Sequence, residues 1–208
     1  MELAGPSLTL RYATPDDAPA LFALGSDREV TRFFSWGPYV RLEEPVAYVV
    51  GLADRRERGE QLDLLIVHRE DGPIGVVGLA ELSARDRRAV IGTWLGRHWW
   101  GTGANREVKA LMARLAFAHL GLDRLGAYAD VENGRSQAAL ERLGFVREGL
   151  LRRWHRHGDV AHDVYVYGLL REEWEASPLA AVACELHGEP PAAFVVAGER
   201  VSSDAAPS

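Results

Sequence analysis

The chain has 208 residues, 47% of them hydrophobic and 26% charged, which is enough to bury a core within one domain. No apolar run approaches the roughly 18 residues that span a bilayer, and residues 1–20 lack a basic start followed by an apolar stretch. These features argue against a membrane protein and a secreted precursor, and a cytoplasmic location is expected. The single cysteine, Cys184, rules out an internal disulfide and a cysteine-rich zinc site. A formal net charge of −6 argues against a protein that chiefly binds nucleic acid backbones. In residues 175–208, Glu175, Glu185, Glu189, Glu199 and Asp204 stand against Arg200 alone, so that −4 of the total sits there and −2 in residues 1–174. Among 24 basic residues Lys109 is the only lysine, a skew that reads as codon bias.

Residues 8–13 alternate as a first strand, and Thr14-Pro15-Asp16-Asp17 reads as a helix start with Thr14 as N-cap. Ser35-Trp36-Gly37-Pro38-Tyr39 is a loop with two aromatics, and residues 42–59 read as a helix with Val46, Val49 and Val50 on its apolar face. Three strand-like runs follow, 62–68, 74–82 and 89–95, joined by short turns as an antiparallel meander. Val108, Leu111, Met112 and Leu115 mark the strongest helix, 104–120, closed by Gly121. A strand at 125–131, a helix from Asn133 to Leu143, and strands at 145–149 and 162–169 complete a mixed α/β pattern around one sheet. Beyond Trp174 the composition turns to Ala, Pro, Gly and Ser. A short helix is expected within 179–186, an edge strand at 193–197 and disorder over 202–208.

A strand ending at Trp94-Leu95 leads through Trp100-Gly101-Thr102-Gly103-Ala104-Asn105 into the long helix. A glycine turn before a helix N-terminus offers free N–H groups and close backbone approach to an anionic phosphate, or it simply redirects the chain. Neither a Walker motif nor a Rossmann fingerprint fits, because no Gly-Lys-Ser/Thr follows and the third glycine is missing.

The run Trp100 to Val108 resembles the acyl-CoA-binding motif of the GNAT superfamily of N-acetyltransferases. Asn133-Gly134-Arg135-Ser136 with Leu140-Glu141-Arg142-Leu143-Gly144-Phe145, and Asp163-Val164-Tyr165-Val166-Tyr167 with Leu170 to Trp174, resemble the RimJ/RimL-type branch, which acts on ribosomal proteins. The resemblance covers residues 8–174. It implies a single α/β (α+β) domain over 1–174, with a mixed, mostly antiparallel sheet flanked by helices and two splayed parallel strands, 89–95 and 125–131. Residues 175–208 are then an acidic, partly disordered extension. It further implies acetyl-CoA as cosubstrate and no metal, with the pantetheine arm between the splayed strands and the pyrophosphate on the loop of Trp100, Gly101, Thr102, Gly103, Ala104 and Asn105. Two positions depart from the family pattern: Asn105 stands where many members carry Ala or Gly, and His98 where Gln or Arg is common.

By the same resemblance a backbone N–H near Trp94–Leu95 meets the developing oxyanion, Asn133 holds the pantetheine arm, and Ser136 hydrogen-bonds the thiol sulfur. Asn133 is equally suited to cap its helix. An α-amine, with a pKa near ~7.8, needs only a weak base, for which His155 and Glu81 are the candidates. Trp36 and Tyr39 either form the acceptor wall or plug the core. Arg152 to His157 reads as a solvated loop near the acceptor, in preference to a nucleic-acid patch or to a metal site of His155, His157, Asp159, His162 and Asp163. The expected function is acetyl transfer to a primary amine, either a protein N-terminus or a small molecule such as an antibiotic, polyamine or amino acid. A non-catalytic acyl-CoA-binding module is the different-class alternative. Neither nucleic acid nor membrane is expected as a partner, and a homodimer is the assembly to test.

Overall fold

Nine strands form one mixed sheet in the computed structural model, which describes residues 1–196. They are β1 Glu2–Ala4, β2 Leu8–Arg11, β3 Gln61–His68, β4 Gly72–Ser83, β5 Arg88–Leu95, β6 Arg124–Asp130, β7 Val146–His157, β8 Val160–Leu170 and β9 Glu185–His187. Their order in space is β7-β8-β6-β5-β4-β3-β2-β1-β9. Every pair of neighbours is antiparallel except β5 and β6, which are parallel.

The centre of the sheet is covered on both faces, which is why β3 carries a continuous apolar run over residues 64–67 rather than an alternation. Leu64 and Ile66 enter the larger core, against Val108, Leu111 and Met112 of α5 (Ala104–Arg114). Leu65 and Val76 face the other way, against Leu21 of α1 (Ala18–Gly25) and Val49 of α3 (Glu43–Val50). A short α2 (Arg28–Thr31) follows α1, α6 (Gly134–Arg142) follows β6, and α7 (Arg171–Glu175) follows β8. No helix among the described residues is long and apolar enough to cross a membrane.

Local chemistry explains where the elements depart from the expected ones. Pro15–Asp17 is a 3-10 turn before α1, closed by the Thr14 N–H donating to Asp17 Oδ2 at 2.8 Å. The helix expected over 42–59 breaks at Gly51 into α3 and α4 (Leu52–Glu57), because glycine is costly in a helix interior. α5 runs on into a π turn, Leu115–His119, before Gly121 ends it with φ +77°.

The run 152–157, expected to be a loop, belongs instead to β7 and pairs with β8 as a hairpin. Nearly all of β7 is exposed, so it has no apolar alternation. Register shifts at Arg147/Gly149 and Leu151/His155, together with φ +54° at Arg153, disguise it further.

Beyond residue 174 the chain rejoins the sheet. β9 pairs antiparallel with β1, aligning Glu2 with His187 and Ala4 with Glu185. The strand thus lies at 185–187 rather than 193–197, where Ala192–Phe194 forms a 3-10 turn. Leu179 and Phe194 are buried in the main core, so residues 175–196 pack onto the sheet. The disorder expected for 202–208 lies outside the described residues.

Candidate active site

The parallel pair comes apart. Register holds at Arg88↔Arg124, Ala89↔Leu125 and Val90↔Gly126 and stops there, although β5 continues to Leu95 and β6 to Asp130. On its other side β5 stays paired with β4 up to Gly75↔Leu95, and the Gly96 N–H donates to the Ile74 carbonyl at 2.8 Å. That bond sets the phase of the ladder. The backbone polar groups of Trp94 turn to β4, while those of Thr93 and Leu95 turn into the gap beside β6. The Leu95 carbonyl accepts the Trp100 indole N–H at 2.9 Å. The gap opens a cleft of about 790 Å³ between the strands, the loop after β5, α5 and α6.

The loop after β5 suits an anion. Gly101 and Gly103 have φ of +79° and +98°, values that glycine adopts without strain, and a Cβ on either would meet no protein atom within 4 Å. Gly103 is the N-cap of α5, so the first-turn N–H groups and the positive end of the helix point at this open space. The Thr102 hydroxyl donates to the Trp99 carbonyl at 3.0 Å and accepts the Ala104 N–H at 3.3 Å, which holds the turn in shape. Arg106, Arg135 and Arg142 also border the cleft, against one carboxylate, Asp130. Vacant backbone donors, glycine-only geometry and an excess of guanidinium fit a pyrophosphate. His98 is exposed in the turn Arg97–Trp99 and does not border the cleft.

Asn133 and Ser136 border the cleft from the start of α6. The Asn133 side chain accepts the Ser136 N–H at 3.1 Å, so it caps the helix. Because Oδ1 is used in this way, the amide group of Asn133 is its remaining donor.

The two faces of the gap differ in chemistry. Leu95, Ala127 and Ala129 pack into the core on the α5 side, whereas Trp94 packs against the α1 and α3 cluster on the other. By alternation Tyr128 and Asp130 share the Trp94 face. His155 reaches that face from β7, its ring edge-on to Tyr128 with centroids 5.7 Å apart. Phe33 and Phe34, after α2, border the same opening.

Of the residues singled out from the sequence, Trp94, Leu95, Trp100, Gly101, Gly103, Asn105, Asn133, Ser136 and His155 all border this one cleft. Thr102 and Ala104 belong to the same loop without bordering the cleft, Thr102 exposed and Ala104 buried. Glu81 does not border it. Glu81 lies at the bulge of β4 with φ +52°, and its carboxylate accepts the Tyr128 hydroxyl at 3.1 Å, touching the cleft only through that ring. Trp36 and Tyr39 stand one layer back. Trp36 packs edge-on to Trp94 at 5.3 Å and Tyr39 lies behind Trp36 at 5.1 Å, with burial pushing the Tyr39 hydroxyl up to about 12.

Sequence reasoning missed Thr93, Tyr128, Asp130, Arg135 and Lys109. Lys109 carried the one available signal: the only lysine of the chain falls four residues after Asn105, on the same face of α5.

The chain matches the Acetyltransferase (GNAT) domain family over residues 7–146. It is 32% identical over 168 residues to the uncharacterized N-acetyltransferase p20 of Bacillus licheniformis, covering 80% of this chain and 94% of that protein. It is 29% identical over 136 residues to the ribosomal-protein-serine acetyltransferase of Escherichia coli, covering 64% and 74%. Among solved structures, RimL, a ribosomal L7/L12 alpha-N-protein acetyltransferase in complex with coenzyme A, superposes with a TM-score of 0.70 at 26% identity, over 81% of this chain and 96% of that one.

Proposed function

Since the chain belongs to the GNAT acetyltransferase family and is an acyltransferase of that kind, we propose that it uses acetyl-CoA to acetylate a protein N-terminal α-amine. The observation that carries this reading is the parting of β5 from β6 after Val90↔Gly126, which turns the backbone groups of Thr93 and Leu95 into a gap that ends at the glycine loop. A pantetheine arm bonds there as a strand would, and a pyrophosphate fits the Gly101–Asn105 cradle. The two ribosomal-protein relatives support a protein α-amine as acceptor.

The residues divide the work by face. The acceptor approaches from the Trp94, Tyr128 and His155 side, and its nitrogen lone pair attacks the thioester carbonyl. The Leu95 N–H meets the oxygen as negative charge develops, a type of contact whose loss costs other enzymes about 10²–10³ in rate. The C–S bond then breaks, and the Ser136 hydroxyl donates to the departing sulfur. His155 takes the amine proton, directly or through water. Roughly a tenth of an α-amine is already neutral at pH 7, so little basicity is required of it.

Calorimetric titration with acetyl-CoA, followed by thiol-release assays on peptides and small amines, tests the reading. Micromolar binding and turnover on peptides with a free N-terminus are expected. Turnover confined to polyamines, antibiotics or free amino acids moves the function to small molecules, and binding without turnover on any amine leaves an acyl-CoA-binding module.

A further inference from the structure

Lys109 sits where a lysine is expensive. It is 5% exposed on α5, and its Nζ donates to Thr93 Oγ1 at 2.7 Å. Among the described residues no carboxylate pairs with it, and its remaining two donors have no partner. The side chain borders the cleft on the α5 face of the gap, opposite Trp94, Tyr128 and His155. A buried, unpaired ammonium destabilises a fold, and a methionine of similar shape would fill the same space without that cost. Burial pushes the amine down to about 7, so that near neutral pH the group is poised between its two forms.

We propose that Lys109 is a binding residue for the acyl-CoA cosubstrate, its ammonium donating to an amide carbonyl of the pantetheine arm between β5 and β6 while Thr93 fixes its position. The inference rests on the acetyl-CoA reading above and adds to it a charged contact from the floor of the gap. Lys109 lies one helical turn beyond the loop that fits the pyrophosphate, and Thr93 lies two residues before Leu95. This places Nζ beside the middle of the arm. Since it is on the face away from the acceptor, it does not serve as the base. A carbonyl acceptor favours the charged form, so binding above pH 7 draws a proton onto the protein. The other charged or titratable groups around the cleft are Arg106 on α5, Tyr128 and Asp130 on β6, Arg135 and Arg142 on α6, and His155 on β7. Glu107 of α5 is turned away, bonded to the Ser7 and Leu8 N–H groups. β5 presents only Thr93 to the amine.

The test is calorimetry at pH 8 in buffers of different ionisation enthalpy, with acetyl-CoA, S-acetylpantetheine and adenosine 3′,5′-diphosphate as titrants. Lys109→Met is expected to bind acetyl-CoA roughly 10- to 100-fold more weakly, to lose the proton uptake shown by the natural protein, and to melt at a higher temperature without ligand. The loss should recur with S-acetylpantetheine and not with the nucleotide, which separates a pantetheine contact from a phosphate contact. Lys109→Gln, which keeps two N–H donors without the charge, should recover part of the affinity and none of the uptake. Natural protein that binds acetyl-CoA while Lys109→Met and Lys109→Gln bind it within twofold, with unchanged uptake, overturns the assignment. Failure of the natural protein itself to bind acetyl-CoA overturns the underlying reading instead. Should Lys109→Met not fold, Thr93→Val removes the acceptor at nearly constant volume, and unaltered affinity and uptake there count equally against the proposal.

Discussion

The Arg135 guanidinium lies 3.2 Å from the centroid of the Trp100 ring, joining the first turn of α6 to the loop that begins α5. The two walls of the cleft are thus held together by a cation–π contact, and the Trp100 indole is anchored in turn to the Leu95 carbonyl. Such contacts contribute about 0.5–2 kcal/mol, more when the cation is partly desolvated, as here. Arg135→Ala should raise the KM for acetyl-CoA by about three- to tenfold with a smaller change in kcat. Steady-state kinetics check this, and an unchanged KM removes Arg135 from the binding wall.

Ser136 stands on the same turn, its N–H capped by Asn133 and its hydroxyl unused by any described residue. If that hydroxyl donates to the departing sulfur, Ser136→Ala should lower kcat about tenfold or more while the acetyl-CoA Kd moves less than threefold. Equal losses in both would assign Ser136 to binding alone.

At Gly103 the structure separates steric from functional cost. A Cβ has open space around it, but φ of +98° is strained for any other residue. Gly103→Val should therefore cost about 1–3 kcal/mol of stability and at least tenfold in acetyl-CoA affinity, because the added side chain occupies the anion cradle. Thermal unfolding and titration measure the two effects separately, and intact affinity refutes the pyrophosphate assignment.

The cleft was legible in the sequence wherever chemistry and local backbone coincide. Gly101 and Gly103 mark the cradle because only glycine takes those angles freely, and Asn133 marks the start of α6 because its side chain caps it. What the sequence concealed depends on long-range pairing. The splaying of β5 from β6 came only from the family resemblance, and nothing local tells that it begins after Val90 or that Tyr128 alternates onto the Trp94 face. Gly78 shows the same limit within β4. A Cβ there would lie 1.8 Å from Asp63 Oδ1, a cross-strand conflict visible only once β3 and β4 are in register. A strand was legible at 145–149, but its continuation to His157 was not, because nearly all of that stretch stays in water on both sides. Lys109 was discounted as codon bias since burial cannot be read from a single residue type.

Folding stability should carry the mark of Lys109. Its amine titrates near 10.5 in an unfolded chain and near about 7 in the fold, so between these values the unfolded chain binds more protons. Stability rises with pH across this window, by at most about 1.4 kcal/mol per pH unit, and the slope vanishes below about 7, where both states are charged. Urea unfolding from pH 6.5 to 9.5 should show this rise in the natural protein relative to Lys109→Met. Parallel curves for the two proteins would mean that the amine is solvated in the fold.

β9 is three residues long, yet it lies against β1 along that strand's whole length. Without it, β1 would present a row of bare amides and carbonyls, the kind of border on which a second molecule can add a strand. Glu185 and His187, the ends of β9, face outward with exposed side chains and make the new border short and polar. The β1 edge is therefore closed by a segment at the far end of the sheet from the cleft. A chain cut before Glu185 would bare this edge and also lose Phe194 from the core, so removing β9 costs packing as well as strand cover.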